Sequence, residues 1–440
     1  MLQPGEDPIQ STGEEMSVAE VRPHERAKVA RVLAAGAVGN VLEWYDFAAY
    51  GYFASIFGRN FFPDDDPFLS LLSAYGVFAV AYMMRPLGSV LFGHIGDRLG
   101  RKQALVISAA AMAFSTFAIG LLPTYASVGM IAPILLILLR MIQGVSVGGE
   151  YTTSIIFLVE QSAPHQRGFI GSWACFSATA GILLGSAVGV AVSGLLDPAD
   201  LNAWGWRIPF LPGILLGAVA YIMRRQLIDE DFSRVRFDKL PVIEAFRTSW
   251  RDIVRGFAIT VALAVGFYLV FVYLATYLQQ VDSITASRAL GINTVSMIAM
   301  AAMTPLFGAL SDRNGRKVML GCSLTAIVLL SWPLFLLLDH PATALILLGQ
   351  CGFAILIAAF GAVLPATLVE LYPQRIRCSA LSISYNAAMG FAGGTAPMVA
   401  VYLMGTTRSP ISPAIYLSAA AAVSLIAVLT MPDRTGKPLR

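Results

Sequence analysis

GHIGDRLGRK, Gly93 to Lys102, and GALSDRNGRK, Gly308 to Lys317, are two versions of one charged decapeptide in a chain that is otherwise mostly hydrocarbon. The chain has 440 residues, 57% of them hydrophobic and only 13% charged. A soluble protein of this length would divide into two or three domains with polar faces, yet no polar stretch here exceeds roughly thirty residues. Outward from each decapeptide, apolar runs long enough to cross about 30 Å of hydrocarbon recur from Arg31 to Met431. About twelve are counted, near 30–57, 69–93, 103–123, 128–155, 167–195, 207–224, 254–281, 288–310, 318–337, 343–371, 379–405 and 411–431.

The expected organisation is a tail over 1–28, a six-helix bundle over 29–224, a hydrophilic linker over 225–253, a second bundle over 254–431 and a short tail over 432–440. The segment before Val21 carries Glu6, Asp7, Glu14, Glu15 and Glu20 without an apolar core, so it reads as a disordered tail and not a signal peptide. Lysine and arginine set the orientation. Arg22, Arg26, Lys28, Arg31, both decapeptides, Arg167, the linker, Arg375, Arg377 and the tail fall on one side; the other holds Arg59, Arg207, Arg288 and Arg408. Both termini are therefore expected in the cytoplasm. A second echo, Glu160 and Arg167 in VEQSAPHQRG against Glu370 and Arg377 in VELYPQRIRC, recurs at nearly the decapeptide interval, so the halves are copies of one plan. Parallel repeats with a site between them near the midplane are one transporter architecture.

Each decapeptide fits G-x-x-x-D-R-x-G-R-K and resembles the signature loop of the major facilitator superfamily. Its glycines permit a tight turn, and Asp97 or Asp312 can pair with an arginine or sit at a helix N-terminus, where the dipole favours an anion. Arg98, Arg101 and Lys102 hold the turn inside. The resemblance implies a latch that breaks as the bundles move, with Asp97, Arg98, Arg101, Asp312, Arg313 and Arg316 as its gating residues; the plainer alternative is a topology anchor.

Ionisable residues inside spans cost a few kcal/mol to insert and are functional candidates. In GNVLEWYDFAAYGY, Glu43 and Asp46 lie one turn apart, with Asn40, Phe47 and Tyr50 near the same face. A buried carboxylate can load and release a proton as its surroundings alternate between dry and wet; its other use is to hold helices through an arginine. Arg140, in RMIQGVSVGGEYTTS, lies roughly 18 Å from the outer end of its span, near midplane. It either binds a substrate carboxylate or pairs with Glu43, Asp46 or Glu150; Gln143, Glu150 and Tyr151 surround it on that helix. Gly144, Gly148, Gly149 and Gly171 allow close helix approach. Arg85 is placed in the cytoplasmic half of its span, for gating or snorkelling. Trp44, Tyr45, Trp173, Phe176, Tyr268, Tyr273 and Tyr385 are candidates for a cage around an ammonium group, and Asn386 for a polar contact from the second half. Trp173, Tyr385 and Asn386 are assigned to line the solute.

The stretches GNVLEWYDFAAYGYFA, FFPDDDP, RPLGSVLFGHIGDRLGRK, RMIQGVSVGGEYTTS, EQSAPHQRGFIGSW, GWRIPF and RIRCSALSISYN together resemble the metabolite:proton symporter family, and GGEYTTSIIF with SALSISYN resembles its proline/betaine transporter branch. The resemblance implies two six-helix bundles rocking around a central site, proton coupling, and cargoes that range from zwitterions to di- and tricarboxylates. Osmosensing members of that branch end in a heptad-bearing tail. PDRTGKPLR has no heptad, so regulation of that kind is not expected.

The reading is an all-α, twelve-helix secondary transporter that carries a small organic solute with a proton. A zwitterion such as proline or betaine is favoured, because a di- or tricarboxylate demands more than one cation and Arg140 alone stands clearly at midplane depth; an organic anion is the alternative. A membrane sensor would need an output domain, which is not seen. An enzyme would need a nucleophile with its base or a metal cluster, and His24, His94, His165 and His340 fall in tails or loops. No G-x-x-x-x-G-K-[ST] loop couples the chain to ATP. Cys175, Cys322, Cys351 and Cys378 lack metal or disulfide spacing. With a net charge of +3 scattered over short loops, nucleic acid is not an expected partner, and no cofactor, metal or obligate protein partner is implied. The inner membrane is the expected location.

Overall fold

The structure is a computed structural model that describes residues 40–41, 43–99, 101–148, 150–215, 217–218, 241–280 and 284–439. The amino-terminal tail and most of the central linker lie outside the described residues, which are helical with no strand among them. Twelve spans follow in order: α1 (43–61), α2 (Pro67–Met83, continued by Arg85–Leu99), α3 (Arg101–Gly120), α4 (Ile131–Glu160), α5 (Arg167–Leu195), α6 (described at 213–215 and 217–218), α7 (Glu244–Gln280), α8 (Ala286–Asn314), α9 (Arg316–Leu338), α10 (Thr343–Leu371), α11 (Arg377–Thr407) and α12 (Ser412–Thr430).

Local chemistry sets several ends. Asp66 caps α2 by accepting from the Phe68 N–H at 2.9 Å, and Pro67 follows at the first helical position, where a missing N–H costs nothing. The decapeptides are not loops. Helix α2 runs through His94 and Asp97 to Leu99, which corrects the placing of His94 in a loop, and α8 runs through Asp312 to Asn314. The second turn is carried by Gly315 at φ +92°, a conformation that side-chain-bearing residues rarely adopt.

Small residues bring backbones together where spans cross. A Cβ on Gly144 of α4 would lie 1.9 Å from the Ala81 carbonyl of α2, and one on Gly88 of α2 would lie 1.9 Å from the Val145 carbonyl. At the contact between halves, Gly168 of α5 meets Gly308 of α8 at slightly longer range: added Cβ atoms would stand 2.5 and 2.7 Å from the opposing carbonyls. Polar side chains face these interiors, and large apolar ones such as Leu87, Phe114, Leu195 and Trp332 face outward, the inversion that a lipid surrounding requires. Two spans depart from α geometry. Over Leu269–Tyr273, α7 widens to a π-helix, and α11 does so over Met389–Gly393. In α7 the Val270 and Phe271 carbonyls accept from the amides of Gln350 (3.4 Å) and Asn293 (3.2 Å).

Candidate solute and proton site

Span α1 and Asn40 just before it carry buried acidic and aromatic residues, Asn40, Glu43, Trp44, Asp46, Phe47 and Tyr50: Trp44 meets rings of the second half, whereas Asp46 meets Thr116 and Gln143 of the first. Two guanidinium groups meet that face. Arg85 of α2 donates through Nη2 to Glu43 Oε1 at 2.5 Å and lies over the rings of Trp44 (5.4 Å), Phe47 (5.6 Å) and Tyr82 (5.0 Å). Its burial at 1% exposed overturns the expectation of snorkelling. Regular helix is interrupted at Met84, and the Arg85 side chain beyond it packs against α1.

Arg140 of α4 is fully buried among Phe47 (4.8 Å), Tyr50 (4.4 Å) and Phe78 (5.9 Å). It donates to Gln143 Oε1 at 2.7 Å, and Gln143 Nε2 reaches Thr116 Oγ1 at 2.9 Å and Asp46 Oδ2 at 3.4 Å. The Thr116 hydroxyl also touches Asp46 Oδ2. Arg140 and Asp46 thus face one another through Gln143, with no ion pair between them among the described residues. Asp46 Oδ1, two nitrogens of Arg140 (Nε, Nη2) and two of Arg85 (Nε, Nη1) have no hydrogen-bond partner there. A buried charge left uncompensated costs about 3–5 kcal/mol, so these open atoms are candidates for contact with water, a proton or a ligand.

The second half closes over the Arg85 group with rings. Tyr268 of α7 packs on Tyr82 at 4.9 Å and lies nearly parallel to Trp44 at 6.3 Å, Phe267 meets Trp44 at 5.8 Å, and Tyr385 of α11 meets Tyr151 of α4 at 5.1 Å. Tyr151 in turn touches Trp44 at 5.7 Å, which places Glu43, Arg85, Tyr151 and Tyr385 in one cluster. Asn386 makes the expected polar contact from the second half: its amide donates to the Gly148 carbonyl of the first half at 2.9 Å. Trp173 is not in the site. It is 42% exposed on an outward stripe of α5 with Leu184, Ala187 and Ala191, because its position on the turn points away from α8. The side chains of Glu150, Asp97, Arg98 and Arg101 lie outside the described residues.

At the decapeptide end, charges join the halves. The Asp312 carboxylate accepts from the Gly168 and Phe169 N–H groups at the start of α5, both at 2.8 Å, and pairs with Arg316 at 2.8 Å. Glu370 receives Arg316 (3.3 Å) and Arg167 (3.8 Å), and Arg377 pairs with Glu160. Arg313 is exposed and makes no ion pair among the described residues. The Glu160/Arg167 and Glu370/Arg377 echo was the visible trace of this network, although the sequence did not tell that it bridges the halves. At the other end Tyr75 meets Thr276 at 2.9 Å, and Asn293 donates to Tyr52 at 2.9 Å. Polar contacts therefore join the halves toward both ends of the junction. Among the described residues no three His, Cys, Asp or Glu side chains are placed to hold a metal ion.

Residues 32–231 match the family described as sugar (and other) transporter, and residues 283–440 match the major facilitator superfamily. The chain is 36% identical over 427 residues, 94% of its own length and 85% of the relative's, to the glycine betaine/proline/ectoine/pipecolic acid transporter OusA of Dickeya dadantii. It is 34% identical over 439 residues, 97% of its length and 88% of the relative's, to the proline/betaine transporter of Escherichia coli. The chain belongs to the major facilitator superfamily. Among solved structures, the proton:xylose symporter XylE bound to 6-bromo-6-deoxy-D-glucose superposes with a TM-score of 0.73 at 18% identity, over 94% of this chain and 98% of that one. This likeness supports the twelve-helix superfamily fold, with two related six-helix bundles. As a member of the superfamily the protein is a multi-pass membrane transporter and not an enzyme.

Proposed function

We propose that the protein is a proton-coupled symporter that imports a small zwitterion of the proline or betaine kind by alternating access, in an inner membrane with both termini on the cytoplasmic side. The observation that carries this reading is a pair of buried guanidinium groups set against carboxylates of α1, Arg85 bonded to Glu43 and Arg140 linked to Asp46 through Gln143, with open donors and an open acceptor among the described residues. Among the described side chains of the site two carboxylates match two guanidinium groups, so a net-neutral dipolar solute adds no excess charge of its own to a dry site. The names of the relatives from Dickeya dadantii and Escherichia coli, which include betaine and proline, agree with it.

Of the two carboxylates, Asp46 is assigned the proton. Glu43 is held by a guanidinium, whereas among the described residues Asp46 bonds to a hydroxyl and an amide, so protonating it breaks no direct ion pair there. Arg140, beside it, stabilises the ionised form when the proton leaves. Arg140, Gln143, Glu150, Tyr151, Tyr385 and Asn386 remain assigned to the solute side of the junction. The gating role falls to Asp97, Arg98, Arg101, Asp312, Arg313 and Arg316 at the cytoplasmic end, and the two bundles span 29–224 and 254–431.

A second reading, symport of an organic anion, gains from the finding that Arg85 stands beside Arg140 as a second buried cation. The two matching carboxylates oppose it. Purified protein in sealed vesicles tests both. A gradient of glycine betaine is expected to move protons into a lumen containing a pH dye, and Asp46→Asn to abolish that movement while labelled betaine still exchanges. Silence with betaine and response to 2-oxoglutarate or citrate would select the anion; proton movement surviving in Asp46→Asn would remove Asp46 from the coupling.

A further inference from the structure

The Glu43 and Arg85 pair has a chemistry beyond the charge balance that the transport reading draws on. A cation lies over three aromatic faces with a carboxylate bonded to its edge, which is the charge pattern of an ammonium carboxylate zwitterion. Both members are buried, and the rings that enclose them come from both halves: Trp44, Tyr82 and Tyr151 from the first, Tyr268 and Tyr385 from the second. Arg85 meanwhile keeps Nε and Nη1 without a hydrogen-bond partner.

The geometry points to Glu43 and Arg85 as an internal stand-in for the solute, with which the zwitterion exchanges partners on binding. The solute carboxylate takes the open Nε and Nη1 edge of Arg85. The Glu43 carboxylate turns to the solute's cationic nitrogen, which occupies the ring-lined space between Trp44 and Tyr268 once the halves part. For a secondary ammonium such as proline, Glu43 accepts a hydrogen bond; for a quaternary ammonium the contact is electrostatic, and the rings supply the rest. No charge is stripped of its counter-charge at any stage, so the exchange avoids the penalty that a lone buried ion would carry. With the solute absent, the restored pair keeps the junction neutral. Arg85 is thereby the anion-recognising residue and Glu43 the cation-recognising one, while Arg140 serves Asp46.

This inference rests on the zwitterion reading above, and its test separates the two. Binding is measured by calorimetry on the purified full chain with three probes of one shape: glycine betaine, 3,3-dimethylbutyrate, which replaces the ammonium nitrogen by carbon, and choline, which replaces the carboxylate by a hydroxymethyl group. The unmodified protein is expected to prefer betaine to either by at least about tenfold, since each half-probe leaves one member of the pair unmatched. In Glu43→Gln the preference for betaine over dimethylbutyrate should fall to near one while the preference over choline persists. Arg85→Gln should do the reverse, and Arg85→Lys, which keeps the charge without the planar fork, should lie between. Ratios within one variant do not depend on how much of it is folded. Ratios unchanged in both variants, or carboxylate selectivity lost in Arg140→Gln and kept in Arg85→Gln, would overturn the exchange and leave zwitterion transport standing. An unmodified protein that binds none of the three but binds a dicarboxylate would overturn both.

Discussion

Replacing Asp312 by asparagine tests how the decapeptide end is held shut. The carboxylate accepts two backbone N–H groups of the other half at 2.8 Å each and pairs with Arg316 on its own side. A hydrogen bond to a charged group contributes roughly 1.5–3 kcal/mol, and an anion at a helix N-terminus about 0.3–1 kcal/mol. Asparagine keeps one acceptor and turns its amide N–H toward donors it cannot satisfy, so about 3 kcal/mol of closure is lost. At 1.4 kcal/mol per factor of ten, that is on the order of a hundredfold shift toward the open state. The assay is alkylation of a cysteine placed at buried Ser172 by a membrane-impermeant maleimide, with the native cysteines replaced, in inside-out and right-side-out vesicles. Labelling should accelerate at least thirtyfold, and only in inside-out vesicles. A change below threefold would refute the closure argument, and acceleration in right-side-out vesicles would refute the orientation.

Three further outcomes follow from the packing. Gly144→Ala places a Cβ 1.9 Å from the Ala81 carbonyl and should destabilise by about 1–3 kcal/mol or more, read as a lower unfolding temperature in detergent. Gln350→Leu removes the amide that meets the Val270 carbonyl and Asn293 Oδ1, and should cost roughly 1–3 kcal/mol by the same measurement; an unchanged midpoint would show that the π segment of α7 does not need it. Trp173→Leu, on the outward face, should leave initial transport rates within about twofold and thermal stability within ±0.5 kcal/mol.

The twelve spans and the duplication were legible because hydrophobic length and a repeated charged motif are local properties of the chain. Glu43, Asp46 and Arg140 were legible for a related reason: a charge in an apolar run has few uses. What the linear pattern withheld was direction. Arg85 was assigned to gating or snorkelling because its place was counted from a decapeptide taken as a loop, whereas α2 continues through His94 and Asp97 to Leu99 and Arg85 is buried against Glu43. Trp173 and Tyr385 look alike in sequence, and only packing separates them: α5 against α8 leaves Trp173 outward, while α11 against α4 sets Tyr385 on Tyr151. Asn386 was recognised as unusual, but that its partner is a backbone carbonyl, Gly148, has no signature in side-chain identity. Thr116 was missed because a threonine in an apolar helix ordinarily satisfies itself on its own backbone, as this one also does at the Met112 carbonyl.

The position of Trp44 gives the protein an optical gauge of its own cycle. Of the six tryptophans, Trp44 is the one flanked by rings of the other half, whereas Trp206 is enclosed by Phe57 and Phe61 of its own half. Trp173, Trp204, Trp250 and Trp332 are exposed. When the halves separate, the indole of Trp44 exchanges aromatic neighbours for solvent, and its emission shifts to the red while the others keep their surroundings. Stopped-flow fluorescence can therefore time the opening of the junction without any attached dye.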